Sequence, residues 1–170
     1  MDSTKLEVAY LEKCNDLVLR IEACDATSSL ATSELVQSLD KPLGGAVLMT
    51  MRLSDGLFAN QTEEGFKNVM DVKWGALTIF NGIQPIKDLD FFVSFSSVAS
   101  VFGNAGQTNY SAAHSVVDGF LDKLPNSFSI VIPAVSDLGY FARMSESSPA
   151  LANFLSWSIT SQRTYLSVSR

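Results

Sequence analysis

Several features that would settle a function at once are scarce in this sequence. It has a single histidine, His114, so a histidine-built metal centre is excluded. Cys14 and Cys24 belong to no CxxC pair or Cys/His cluster, and two lone thiols in 170 residues suit a reducing, cytoplasmic setting better than a disulfide scaffold. Charged residues are only 18% of the chain, and a net charge of −6 leaves no basic stripe for nucleic-acid phosphates. No apolar run reaches the roughly 18–20 residues of a membrane span, and the polar opening MDSTKLEVAYLEK is not a secretory signal. No GxGxxG or comparable glycine-rich turn occurs; Gly44-Gly45 stands alone, before an apolar run rather than after one. Internal repeats and low-complexity linkers are absent too.

What is present reads as one globular domain over residues 1–170, 46% hydrophobic and large enough for a real core. Residues 4–13 form a short candidate helix with Leu6, Tyr10 and Leu11 on one side. Residues 17–23 (LVLRIEA) alternate as a strand does, and Asp25 with the following ATSS offers N-caps for a helix ending near Leu39. A Pro/Gly loop at 41–45 leads into the apolar run 46–50 (AVLMT), which fits a buried parallel strand.

Thr62 caps the next helix, with Glu63 and Glu64 in its first turn. Phe66, Val69, Met70, Trp74, Leu77 and Phe80 mark its inward face, and Lys73 lies on that same stripe. A lysine facing inward needs a partner or a task, because a buried unpaired ammonium is costly; the alternative is snorkelling at the stripe's edge. Later, residues 128–135 (FSIVIPAV) read as a last strand ended by Pro133. Beyond Met144 the chain is Ser-rich, with Leu151, Leu155 and Trp157 placed to pack a final helix. Strands near 18–23, 46–50, 91–96 and 129–134 thus alternate with helices. That is an α/β, Rossmann-like parallel sheet with helices on both faces.

The stretch at 91–114, FFVSFSSVASVFGNAGQTNYSAAH, is the most informative. Phe91, Phe92, Val93 and Phe95 make a strand that ends at Ser96 and Ser97. After the Gly103/Gly106 loop, Tyr110, His114, Val117 and Leu121 keep one helical face together. A hydroxyl at a strand's carboxyl end and a tyrosine opening the next helix point into one crevice, where open α/β sheets bind ligands. A Ser-rich turn beside a core tyrosine is the plainer alternative.

This stretch resembles the active-site segment of ketoreductase domains in polyketide synthases, members of the short-chain dehydrogenase/reductase superfamily. The likeness is carried by Ser97 and Tyr110, thirteen apart, with Gly103, Asn104, Gly106, Gln107 and Asn109 between them, and it is nearest to fungal reducing synthases. It implies that Tyr110 donates a proton, Ser97 hydrogen-bonds the substrate oxygen and Lys73 lowers the tyrosine's pKa. His114 stands where the family carries asparagine; one ring nitrogen replaces only part of an amide. The resemblance further implies NADPH, with Asp25 and Ala26 on the adenine side and Thr50, Lys73, Tyr110, Pro133 and Ala134 on the nicotinamide side. It likens residues 137–140 (DLGY) to the loop over cofactor and substrate.

By the same resemblance the chain starts inside the family's second crossover helix, so the fold is truncated: its first two strands and glycine-rich turn are absent. In the order 3-2-1-4-5-6 this leaves a gap between the strands at 17–23 and 46–50, unless the two pair directly. The implied partners are a β-ketoacyl chain on an acyl carrier protein and the missing nucleotide-binding half or other synthase domains, with no nucleic acid, membrane or metal. Two readings follow. One is NADPH-dependent reduction of a β-ketoacyl thioester to a β-hydroxyacyl thioester, active once the missing half is supplied. The other is an inactive remnant or truncated gene product with a scaffold role.

Overall fold

Three strands lie side by side in parallel: β1 (Gly45–Leu48), β2 (Phe91–Ser97) and β3 (Ser127–Ile132), in the order β1-β2-β3. These belong to a computed structural model that describes residues 19–133. Leu48 pairs with Ser94, and Ser94 pairs with Ser129, so the central strand carries ladders on both sides. Parallel neighbours need crossovers, and helices supply them. Helix α1 (Ser29–Gln37) precedes β1. Between β1 and β2 run α2 (Glu63–Met70), a π turn (Asp71–Gly75) and α3 (Ala76–Ile83); between β2 and β3 run the short α4 (Val98–Phe102) and the long α5 (Thr108–Leu121).

The starts of these helices follow from their caps. Ser28 accepts from the Ala31 N–H at 3.3 Å and Thr62 from the Gly65 N–H at 3.0 Å. Each satisfies one of the donors that a helix leaves orphaned at its start. Gly45 lets the Phe91 ring lie over the backbone where β1 meets β2; a Cβ there would push that ring aside.

Helices pack on the face of the sheet that carries Phe92, Ser94 and Ser96, all buried. Phe92 joins Leu77, Ile86, Leu89, Val117 and Leu121 in the core, its ring 5.7 Å from Phe80. A side chain of that size stabilises the fold by about 2–3 kcal/mol on full burial. The opposite face is apolar but open among the described residues: Val47 and Phe128, both in register with Val93, are 51% and 44% exposed.

The described part of the strand expected at 17–23 forms no strand. Residues 19–23 carry no regular structure; Ile21 is 71% exposed, and Arg20 turns to Glu22 and the Ser38 carbonyl. Apolar alternation makes a strand only where a neighbour completes the ladder, and no strand among the described residues does so. Among the described residues, 19–23 do not pair with β1. Helix 4–13, Ala134, the loop at 137–140 and the helix expected to carry Leu151, Leu155 and Trp157 lie outside the described residues.

Candidate active site

Lys73 sits in the middle of the π turn that joins α2 to α3. A π turn inserts an extra residue into a helix and is found disproportionately at functional sites. Here it turns a lysine inward: Lys73 is 3% exposed, and its Nζ donates to the Phe95 carbonyl of β2 at 2.5 Å. Burial pulls its pKa down to about 8, while Asp118 pulls in the other direction. The inward reading therefore holds over snorkelling.

Ser97 ends β2 and caps α4, its Oγ accepting from the Ala99 N–H at 3.2 Å. With that acceptor site used, the hydroxyl proton remains to be donated. Gly103 and Gly106, at φ 73° and 79°, then turn the chain back into α5; an ordinary side chain is strained there. Tyr110 lies in the first turn of α5 and His114 one turn later, their rings 4.3 Å apart. Burial raises the Tyr110 pKa, the Ser97 hydroxyl lowers it and Asp55 adds to the rise. His114 is 3% exposed, and its Nδ1 has no hydrogen-bond partner among the described residues. Burial first, and the nearby Lys73 cation second, push its pKa down to about 4, against a smaller upward pull from Asp118. The imidazole is therefore neutral at pH 7. Lys73, Ser97, Tyr110 and His114 come together at the carboxyl end of β2.

The other expected residues divide. Thr50 and Pro133 follow the carboxyl ends of β1 and β3, on the same edge of the sheet as Ser97. The Thr50 Oγ1 is buried and has no hydrogen-bond partner among the described residues. Thr50, Lys73 and Tyr110 are the residues on this edge that would meet a nicotinamide, were one bound. Asp25 and Ala26 sit in the turn before α1, where the Asp25 carboxylate accepts from the Thr27 N–H at 2.9 Å and the Thr27 hydroxyl at 2.7 Å. Those bonds hold the exposed Asp25 below its ordinary pKa. No glycine-rich turn leads into a helix among the described residues, so the pyrophosphate has no cradle of that kind.

One part of the site escaped the sequence reading. Asn109 is fully buried; its Nδ2 donates to the Ser54 carbonyl at 2.8 Å and to Gln61 Oε1 at 3.1 Å, while its Oδ1 accepts from the Tyr110 N–H at 2.8 Å. Gln107 donates to Asp55, and the Gly56 N–H donates to the Gly106 carbonyl. The GNxGQxNY stretch is thus fastened to residues 54–61, and the fastening sets where α5 begins and where Tyr110 stands. Among the described residues no group of acidic, histidine or cysteine side chains suits a metal.

A family described as "KR domain" matches residues 2–136. Among curated proteins the chain is 42% identical over 130 residues to "Highly reducing polyketide synthase stpks1" of Strobilurus tenacellus, a match covering 76% of this chain and 5% of that protein. It is 41% identical over 123 residues to "Highly reducing polyketide synthase GPY1" of Gibberella fujikuroi, covering 71% and 5%. Among solved structures, A-type ketoreductases from a modular polyketide synthase superpose with a TM-score of 0.76 at 27% identity, over 89% of this chain and 33% of theirs. An A1-type ketoreductase gives 0.64 at 27% identity, over 75% and 27%. The chain thus spans about 5% of the length of these curated relatives.

Proposed function

Because this chain belongs to the KR-domain family of polyketide synthases, we propose that it forms the catalytic segment for NADPH-dependent reduction of a β-ketoacyl thioester to a β-hydroxyacyl thioester. The acyl chain would be presented on an acyl carrier protein. The observation that carries this reading is the meeting of Lys73, Ser97 and Tyr110 at the carboxyl end of β2.

NADPH, when bound, supplies the hydride. Everything else falls to the chain. Ser97, its acceptor site taken by the Ala99 N–H, donates its proton toward the ketone oxygen and steadies the negative charge that develops there. Tyr110 gives a proton to that oxygen. Its pKa, raised by burial, keeps the phenol protonated but makes the phenolate costly, and the Lys73 ammonium is the cation available to offset that cost. His114, neutral, lies tilted against the Tyr110 ring with 4.3 Å between centroids.

A chimera tests this. This chain replaces the matching segment of a relative's ketoreductase domain, and NADPH oxidation is followed with a β-ketoacyl thioester. Thioester-dependent oxidation that Tyr110→Phe removes supports the proposal. A folded chimera with no such oxidation sinks it in favour of the inactive remnant.

A further inference from the structure

We propose that Asp118 is a positioning residue for this site, the fixed counter-charge that lets Lys73 stay an ammonium inside the fold. The inference rests on the ketoreductase reading above. Asp118 lies one turn beyond His114 on α5 and so shares the inward face with His114 and Leu121. Its Oδ2 accepts from the Ser96 hydroxyl at 2.6 Å, which ties the carboxylate to the strand residue beside Phe95, the carbonyl that Lys73 holds. Its Oδ1 is buried and has no hydrogen-bond partner among the described residues. A carboxylate oxygen kept from water and from partners loses solvation that a nearby cation can restore.

The surroundings of Lys73 leave Asp118 as the charge available for this. α5 presents Tyr110, His114 and Asp118; β2 presents the Phe95 carbonyl and the Ser94 and Ser96 hydroxyls. Lys67 and Asp71, on the same helical run as Lys73, form an exposed ion pair with each other. Lys73 itself forms no ion pair within contact distance among the described residues, so Asp118 acts through the low-dielectric interior rather than by touching it. Asp118 also favours the charged form of His114, whereas Lys73 opposes it. Removing the carboxylate therefore favours the neutral forms of both Lys73 and His114.

The sign is fixed by this arrangement. Lys73 holds its proton below about pH 8; without Asp118 it gives the proton up at lower pH, and the cation held at the Phe95 carbonyl is lost sooner as pH rises. Asp118→Asn keeps the shape and an acceptor for Ser96 while deleting the charge; Asp118→Glu keeps the charge.

The test reads Lys73 itself in the full 170-residue chain. Its ε-ammonium is titrated by NMR with labelled lysine, the resonance being assigned by its loss in Lys73→Met. Asp118→Asn is expected to lower the Lys73 midpoint by about one pH unit, a tenfold change, and Asp118→Glu to leave it near the parent's. An unchanged midpoint in Asp118→Asn overturns the proposal. If Asp118→Asn does not fold, Asp118→Ser decides: a midpoint lowered by about one pH unit supports the proposal, and an unchanged one overturns it. The readout needs no turnover, so an inactive chain with a charge-dependent Lys73 refutes the functional reading alone.

Discussion

Lys73 and Phe95 are joined by a hydrogen bond from ammonium to backbone carbonyl at 2.5 Å, across twenty-two residues of sequence. The bond pins a helix-borne cation beneath the end of the strand that carries Ser97. A fold that keeps a lysine at 3% exposure for this single contact holds a group that packing alone would not select.

Replacing that lysine should therefore separate stability from activity. Lys73 titrates near 8 rather than at its ordinary 10.5, so the stability linked to its ionisation is present above 10.5 and lost as pH falls to 8. At neutral pH the buried charge is a burden on the fold. Lys73→Met is expected to unfold at a temperature no lower than the parent's at pH 7, while turnover in the chimera falls by about 10²–10⁴-fold. A melting scan beside a rate assay checks both; a variant that is less stable and still active would refute the role given to Lys73.

Tyr110→Phe keeps the ring packed against His114 and removes the phenolic proton donor. Turnover in the chimera should fall by about 10²–10⁴-fold with the melting temperature nearly unchanged. His114→Asn should keep or raise the rate, because it restores the amide that the family resemblance places there. Loss of rate in that variant would show that the imidazole has acquired its own task.

His114 also gives the fold a pH dependence. Its pKa lies near 4 in the folded chain against an ordinary 6.5, so the stability it contributes is complete above 6.5 and is lost as pH falls toward 4. The loss over that window is on the order of 3 kcal/mol at about 1.4 kcal/mol per pH unit. Urea unfolding at neutral and acid pH measures it. The His114→Asn chain should show a correspondingly flatter dependence, and an equally steep one would assign the effect elsewhere.

Much of this was legible in the sequence, and the failures have physical causes. The run FFVSFSS announced β2 because aromatic and β-branched residues suit a buried strand, and the inward stripe through Lys73 was visible from helical spacing. The π turn was not, since the spacing of the apolar residues reads as one uninterrupted α-helix. Residues 19–23 form no strand because alternation is local, whereas a strand exists only with a neighbour. The fastening of Asn109 was hidden because its partners lie 48 and 55 residues earlier.

Asn109 should prove the most damaging polar residue to remove. Asn109→Ala breaks bonds to Ser54, Gln61 and the Tyr110 N–H in a fully buried position. Each is worth about 0.5–1.5 kcal/mol, and the groups left behind are desolvated, so a loss of about 2–4 kcal/mol is expected. Faster hydrogen exchange should appear at residues 54–61 together with the start of α5. Exchange confined to α5 would mean that the two segments are not coupled through Asn109.

The last expectation concerns the cofactor. A dinucleotide phosphate is normally held by oriented backbone N–H groups at a glycine-rich turn and by the dipole of the helix that follows. The 170 residues contain no such turn, and a net charge of −6 does nothing to attract a polyphosphate. Under the proposed function they would offer the nicotinamide end through Thr50, Lys73 and Tyr110, and a turn at Asp25 and Ala26 whose carboxylate already serves Thr27. The charged middle of the cofactor would lie unsupported between them. A dissociation constant no tighter than about 1 mM is therefore expected for the chain alone, roughly −4 kcal/mol. Calorimetric titration with NADPH measures it directly. Micromolar affinity would mean that a second chain or a rearranged sheet rebuilds the phosphate cradle, and an inactive remnant would then no longer be a tenable description.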